Sequence, residues 1–396
     1  MRNPRLLAIG PLALTALAAC DGGTPGTTAW AGTVDTIQSG QVVVTNPATP
    51  LWGEGDAWTV VEELRIGRTE GEGADLFGRI GSLEVDRAGR IWVLEHQSQE
   101  LRVFDSGGAH IRTIGRKGGG PGEFAQAVHL QQGGDGNIWV MDPQNNRLSV
   151  YDTAGTYLTA HPALGGFVMM PWPGGFDAAG NYYAVVPQMD EEGFRVALVR
   201  YDTAFTPRDT LMAPVDPNER DFFRLTSPGG GGLMAGIPFQ GGLSWRLSPD
   251  GTIWGLFTDE YRLFELGPTG DTLRTVTREF EPLAVTDEDR EAARENLKWF
   301  TDQGGRVDMS RLPSSKPPVR RFFFADDGAI WVEREAGPDD QGRHFDIFDP
   351  TGRYLGILDL PFSLTGSAPI IRDGRLYGIT ADELGVQYVV RARIET

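Results

Sequence analysis

The sequence predicts an all-β chain folded as a six-bladed β-propeller of four-stranded antiparallel blades. Three observations point there. A polar turn ending in glycine, followed by a short aromatic-rich strand, recurs six times. A second motif follows it, an alternating strand that ends in an Asp-x-x-Gly-type turn. Glycine is also abundant, at 53 of 396 residues, as a fold made of many tight turns requires.

The chain opens with "MRNPRLLAIGPLALTALAAC". Arg2 and Arg5 precede an apolar run from Leu6 to Ala19, too short for a stable membrane span. Residues 1–19 read as a signal peptide, and Leu17-Ala18-Ala19-Cys20 resembles a bacterial lipobox. In that class of signals the cysteine is acylated and becomes the first mature residue. Cys20 is the only cysteine, so no disulfide is available and the core must carry the stability. Residues 20–57 are expected to form the lipidated N-terminus, a small polar tether and a short hairpin. Several acyl chains anchor a protein stably, at about 0.8 kcal/mol per buried methylene. The expected location is the bacterial cell envelope, outside the cytoplasm. Asp21 resembles the inner-membrane retention signal of enteric bacteria, which leaves inner and outer membrane both open.

The first repeat motif reads Gly89-Arg-Ile-Trp-Val, Gly136-Asn-Ile-Trp-Val, Gly180-Asn-Tyr-Tyr-Ala, Gly251-Thr-Ile-Trp-Gly, Gly328-Ala-Ile-Trp-Val and Gly374-Arg-Leu-Tyr-Gly. The glycine supplies the positive φ of a tight hairpin. The second reads "LRVFDSGG", "LSVYDTAG", "LVRYDTAF", "LFELGPTG" and "FDIFDPTG". A fourth strand follows, so each unit is a four-stranded meander. The glycines are spaced by 47, 44, 71, 77 and 46 residues, a propeller-blade period with two insertions. The insertions are 213–242, between blades 3 and 4, and 281–319, between blades 4 and 5. The sixth unit stops after its third strand, "VQYVVRARIET". The strand "WTVVEELRIG" (58–67) is expected to complete it, so that the propeller spans 58–396 and no sheet edge is left open. Within 281–319, Thr286 is a helix cap and Asp287, Glu288 and Asp289 suit a first turn. Ala293, Leu297 and Phe300 form an apolar stripe, expected to face down over the propeller mouth, and Gly304-Gly305 end the helix.

The stretch "IGRKGGGPGEF" (114–124) invites a phosphate-loop reading, but Lys117 precedes the glycines and no helix follows. It reads instead as the crossing from blade 1 to blade 2. With its continuation "GGDGNIWVMDPQNNRLSVYDTAGTYL" it closely resembles an NHL-type repeat. The whole chain resembles the bacterial six-bladed β-propeller lipoproteins, most closely in blades 1 and 2. That resemblance implies the fold; similar propellers include both binding modules and enzymes, such as gluconolactonase-like and amidating-lyase-like proteins.

Propeller topology puts the first-to-second and third-to-fourth turns of each blade on one face. These turns are short and uniform, and no site is expected there. The second-to-third turns and blade crossings, with both insertions, lie on the other face. A concave mouth on that face is the expected ligand site. Its candidates are Gln126 and His129 of blade 2, Trp172 from a connecting loop, Trp245 and Arg246 of blade 4, and Arg320 and Arg321 of blade 5. Phe222, Phe223 and Phe239 come from the connecting loops. Arginines and aromatics suit a carboxylate-bearing, sugar-like or peptide ligand. The bland alternative pairs Arg320 and Arg321 with Asp326 or Asp327.

Charge excludes a partner class. The net charge is −18, and loss of Arg2 and Arg5 with the signal peptide takes it to −20, a surface that repels nucleic acid. No resident cofactor is expected. Calcium or zinc in the channel belongs to the lyase-like and lactonase-like alternative, in which His96, His129 and His344 or Glu84 would supply ligands. His96 and His344 read as outer-loop residues, and none of the five histidines sits in a ligand-spaced motif. No Gly-x-Ser-x-Gly elbow is present, and lipidation would leave no free thiol. Glu95, Asp142 and Glu333 end second strands and read as turn-capping residues. The expected function is that of a membrane-tethered, monomeric binding or scaffold propeller for a protein or small-molecule ligand. The alternative is a metal-dependent lactonase, esterase or lyase.

Overall fold

The computed structural model describes residues 29–53, 55–162, 175–190, 193–212, 221–226, 232–335 and 343–396. Three strands come first: β1 (Thr33–Thr36), β2 (Val42–Asn46) and β3 (Thr59–Ile66). Blade 1 is β4 (Ile80–Val85), β5 (Ile91–Glu95), β6 (Glu100–Phe104) and β7 (His110–Ile114). Blade 2 is β8 (His129–Gln132), β9 (Ile138–Asp142), β10 (Arg147–Tyr151) and β11 (Tyr157–Pro162). Blade 3 is β12 (Gly175–Phe176), β13 (Tyr182–Asp190), β14 (Gly193–Tyr201) and β15 (Pro207–Met212). A separate hairpin follows, β16 (Phe222–Thr226) and β17 (Gly232–Gly236). Blade 4 is β18 (Leu243–Leu247), β19 (Ile253–Phe257), β20 (Arg262–Leu266) and β21 (Thr272–Arg278). The helices α1 (Asp287–Asn296) and α2 (Lys298–Asp302) precede blade 5, which is β22 (Val319–Phe324), β23 (Ile330–Arg334), β24 (Arg343–Phe348) and β25 (Tyr354–Leu360). Blade 6 is β26 (Thr365–Arg372), β27 (Arg375–Ala381) and β28 (Gln387–Glu395), completed by β3. The fold is the six-bladed propeller that the repeat predicts.

The two repeat motifs have separate physical causes. In the first, the turn residue receives the ring N–H or hydroxyl of the aromatic residue in the second strand. Trp92 Nε1 donates to Asp86 (3.0 Å), Trp139 Nε1 to Asp135 (3.3 Å), Trp254 Nε1 to Thr252 (3.1 Å) and the Tyr183 hydroxyl to Asp177 (3.2 Å). The ring bodies are buried, and Trp92 and Trp331 are fully so. In the second motif an aspartate accepts backbone N–H groups two and four residues on, as Asp105, Asp202, Asp349 and Asp382 do. The glycine closing this turn lies on the outer strand of the preceding blade. A Cβ on Gly352 would stand 2.5 Å from Val276 Cγ2, and one on Gly155 would stand 2.6 Å from Ile114 Cδ1.

β3 closes the ring by antiparallel pairing with β28, from Val389↔Ile66 to Glu395↔Thr59. Glu63 on β3 meets Arg375, Arg391 and Arg393 across the seam, at 3.1, 3.3 and 3.2 Å. The short hairpin expected within 20–57 is present as β1–β2, and it is docked. β2 pairs in parallel with β21, making blade 4 a six-stranded sheet. Asn46, fully buried, donates to Gly352 O (2.9 Å) and accepts from Tyr354 N (2.7 Å). Trp52 N then donates to Leu355 O (2.8 Å), and Trp52 stacks towards Trp58, which meets Trp331. Residues 29–66 therefore run along the rim from blade 4 across blade 5 to blade 6.

The helical insertion is capped as the sequence indicates. Thr286 Oγ1 accepts from Asp289 N (3.1 Å), and Thr286 N donates back to Asp289 Oδ2 (2.9 Å). The stripe does not face the propeller mouth. Ala293, Leu297 and Phe300 pack on Phe223, Ala235 and Ile237 of the β16–β17 insertion, with Leu312. The two insertions thus share a small core of their own, because each has an apolar face too small to bury alone. Among the described residues no helix is long and apolar enough to cross a membrane.

Candidate functional site

The glycine-rich crossing fixes which turns share a face. Its backbone bonds to the β9–β10 turn: Asn145 Nδ2 donates to Gly118 O (3.0 Å) and Arg147 Nη2 to Gly120 O (2.7 Å). Lys117 bridges to Phe124, and Arg116 pairs with Glu123 (2.7 Å). No helix N-terminus follows, so no phosphate cradle forms.

In blades 1, 2 and 5 a buried acid at the end of the second strand holds the inner strand in place. Glu95 accepts from Gly78 N (3.0 Å) and Arg79 N (2.8 Å) just before β4. Asp142 accepts from Ala125 N (2.8 Å) and Gln126 N (3.0 Å) just before β8. Glu333 takes the Arg321 side chain at 2.6 Å. In blade 4 a neutral residue substitutes: Thr258 Oγ1 accepts from Gly242 N (2.8 Å). The capping role read from sequence is therefore structural, and it acts on the strands that line the axis.

Four side chains from four blades meet around that axis. Ser82 Oγ of β4 lies 3.3 Å from His129 Nδ1 of β8. Burial, together with the charge of Arg246 on β18, pushes the His129 imidazole down to about 4. Burial, together with the charge of Arg321 on β22, pushes the Arg246 guanidinium down to about 10. At neutral pH His129 is uncharged and Arg246 is a cation. Both are half-buried, on inner strands that line the propeller axis. Arg321 is neutralised by Glu333 and donates to Gly366 O (3.0 Å). Arg246 donates to Trp245 O (2.5 Å) and lies over the Phe322 ring at 5.9 Å. Among the described residues no carboxylate pairs with it. Further along the axis the charges are matched internally. Glu84, whose carboxyl burial pushes up, meets Arg372 at 3.7 Å and accepts from Gln132 N (3.2 Å).

His129 gives a pH prediction with a definite sign. The unfolded imidazole binds a proton near 6.5 and the folded one only near 4. Stability is therefore full above pH 6.5 and falls as pH drops through this window, by about 3 kcal/mol. In denaturant titrations His129→Gln should lose that component of the slope, whereas an unchanged slope would remove His129 from the account.

The other sequence candidates fall elsewhere. Gln126 serves through its backbone N–H, as above. Trp245 turns away from the axis and packs on Phe264 (5.8 Å) in the layer between blades 3 and 4. Arg320 sits at a register shift, exposed, 3.8 Å from Glu335. So Arg320 and Arg321 pair with Glu335 and Glu333, not with Asp326 or Asp327, because second-strand acids face the inner strand. Trp172 lies outside the described residues. Phe223 belongs to the core of the insertions. His344 is not in a loop but on β24, bonded to Asp359, and His96 Nδ1 meets Ala127 O (3.1 Å). Among the described residues no three His, Cys, Asp or Glu side chains converge in a metal-holding group. Sequence reasoning missed Ser82, whose polarity on an apolar inner strand was the available signal.

A cavity of about 310 Å³ lies at the root of the insertions, lined by Phe239, Phe280, Asp259, Lys316 and four prolines. Its cation is already paired, Lys316 with Asp289 at 2.7 Å.

A family model for a 6-bladed beta-propeller matches residues 70–170. No curated protein matches the chain in sequence. Among solved structures, a Bacteroides fragilis protein described as exported is similar at 12% identity and a TM-score of 0.46, over 89% of this chain and 100% of that one. Virginiamycin B lyase from Staphylococcus aureus is similar at 10% identity and a TM-score of 0.40, over 85% and 99%. A gluconolactonase from Xanthomonas campestris is similar at 12% identity and a TM-score of 0.35, over 79% and 85%. All three scores lie below 0.5, and no residue role passes from these proteins to this chain.

Proposed function

We propose that the chain is a monomeric binding propeller of the bacterial cell envelope, tethered through lipid on Cys20, whose axial channel takes a small carboxylate-bearing ligand. Arg246 is the anchor, through paired guanidinium N–H donors. His129 and Ser82 are neutral hydrogen-bonding groups opposite it, and Arg321 is already paired with Glu333. One observation carries this reading. In a chain with 54 acidic residues, a half-buried arginine on an inner strand has no carboxylate partner among the described residues. A charge in that setting is costly unless something pairs with it, and a ligand carboxylate supplies what the protein withholds.

The test is a thermal-shift series with succinate, citrate and D-gluconate, set against the uncharged sorbitol. At least one carboxylate should raise the melting temperature of the wild type, sorbitol should not, and Arg246→Ala should abolish the shift. Equal shifts in wild type and R246A would refute the reading. The tether is tested separately: palmitate labelling should be lost in Cys20→Ala.

A further inference from the structure

One turn breaks the repeat. The glycine that closes the third-to-fourth turn is Gly108, Gly155, Gly270, Gly352 and Gly385 in five blades, all with φ between 81° and 93°. Blade 3 has Phe205 there, in "DTAF", with φ 58°. A bulky residue in the left-handed region is strained, and such strain gathers at functional sites. Glycine would relieve it, and the other five blades show that the turn closes with glycine. What the phenyl ring adds is a wall. It stacks on His161 (4.3 Å, 10° between planes) and on Trp139 (5.4 Å, 25°). Trp139 in turn meets Phe176 at 4.7 Å.

Beside this wall, between blades 2 and 3, lies a cleft of about 340 Å³. Aromatic Trp139, Phe176 and Phe205 form one side, and small Gly134, Ala178 and Ala179 leave the other side open. Its turns belong to the short-turn face, so that face is not the featureless surface expected from its loop lengths. Among the described residues the lining holds no lysine or arginine. The carboxylate among them, Asp135, is engaged by Asn137 N (3.0 Å), Asn137 Nδ2 (2.8 Å) and Trp139 Nε1 (3.3 Å). A site with aromatic walls, no free charge, and a hydroxyl from Thr203 at its rim does not select ions. It suits a neutral ring that has one apolar C–H face and hydroxyls at its edge.

We infer that the cleft between blades 2 and 3 is a second ligand site, independent of the axial channel, which takes a neutral pyranose stacked on the Phe205 wall. The sugar is either a free saccharide or the exposed end of a glycan. Saturation-transfer NMR with methyl β-D-glucopyranoside, cellobiose and soluble cello-oligosaccharide tests it and separates those sources. Transfer should fall on the ring C–H protons. A signal from the monosaccharide assigns a single-ring site, and a signal from the longer probes alone assigns a glycan end. Phe205→Gly should keep the far-UV spectrum and weaken binding by about tenfold or more, the scale of one lost aromatic face. Ala179→Leu leaves the aromatic wall untouched, changes an exposed residue and fills the cleft, so it should block binding even if F205G folds poorly. Absence of transfer from all three probes to the wild type would overturn the site. So would undiminished binding by A179L or by a folded F205G, which would make Phe205 a packing residue only.

Discussion

A chain lacking β3 is expected not to fold. Without Thr59–Ile66, the nine-residue β28 becomes an open edge at the rim of blade 6, the ring loses the strand that joins its two ends, and seven cross-strand pairs are lost. Val60 and Ile66 leave the core, at about 1.5–3 kcal/mol for each side chain. Arg375, Arg391 and Arg393 lose their shared partner Glu63. With the backbone bonds these losses meet or exceed the roughly 5–15 kcal/mol that holds a typical domain. Gel filtration and circular dichroism should show aggregate or unfolded chain. A monomer with a cooperative melt near that of the intact protein would mean that the ring does not depend on its closing strand.

Asp346→Ala should be the most damaging single substitution outside the hydrophobic layers. Asp346 is fully buried between blades 4 and 5. It accepts from the hydroxyls of Tyr354 (3.1 Å) and Tyr261, and Arg278 Nη1 lies 3.4 Å away. Burial and the carboxylate push both phenols up, so they stay protonated donors. Arg278, only 7% exposed, sits over the Tyr354 ring at 4.3 Å. Removing the carboxylate strands this arginine in the core. The expected cost is about 3–5 kcal/mol, read from denaturant midpoints, because an orphaned buried charge is worse than no pair at all. Asp346→Asn keeps the shape and an acceptor and should cost less. A change below about 1 kcal/mol in D346A, the scale of an exposed ion pair, would mean that water replaces the carboxylate.

The ring was legible because its signals are local. Each Gly-x-Ile-Trp unit encodes a turn and a strand, and in three of the four the tryptophan N–H returns to the turn, all within seven residues. The closing strand could be placed because the sixth unit shows only three of its four strands and one unassigned strand lies before blade 1. Long-range matches were not legible. Nothing in the sequence says that β2 joins β21 in parallel, that Asn46 reaches Gly352, or that the stripe of α1 and α2 finds β16–β17. These pairings are chosen by surfaces that exist only once the blades form. In the site, adjacency in sequence misled. Arg320 and Arg321 look equivalent, but a register shift sends one outward and the other to the axis. Trp245 and Arg246 alternate across a strand, so only one of them points to the channel. The carboxylates that neutralise these cations lie in neighbouring strands, and only their placement shows that, among the described residues, Arg246 is left out. Phe205 was visible as a letter out of place in "DTAF", but a broken repeat becomes a site only when a cleft stands beside it.

The measurement that bears most directly on the central claim is a crystal structure of the protein with the carboxylate that gives the largest Arg246-dependent thermal shift. The carboxylate should lie on the propeller axis, with both oxygens on the Arg246 guanidinium and within hydrogen-bonding reach of His129 or Ser82. A carboxylate seated instead beside Lys316 beneath the insertions, with the axis unoccupied, would contradict it.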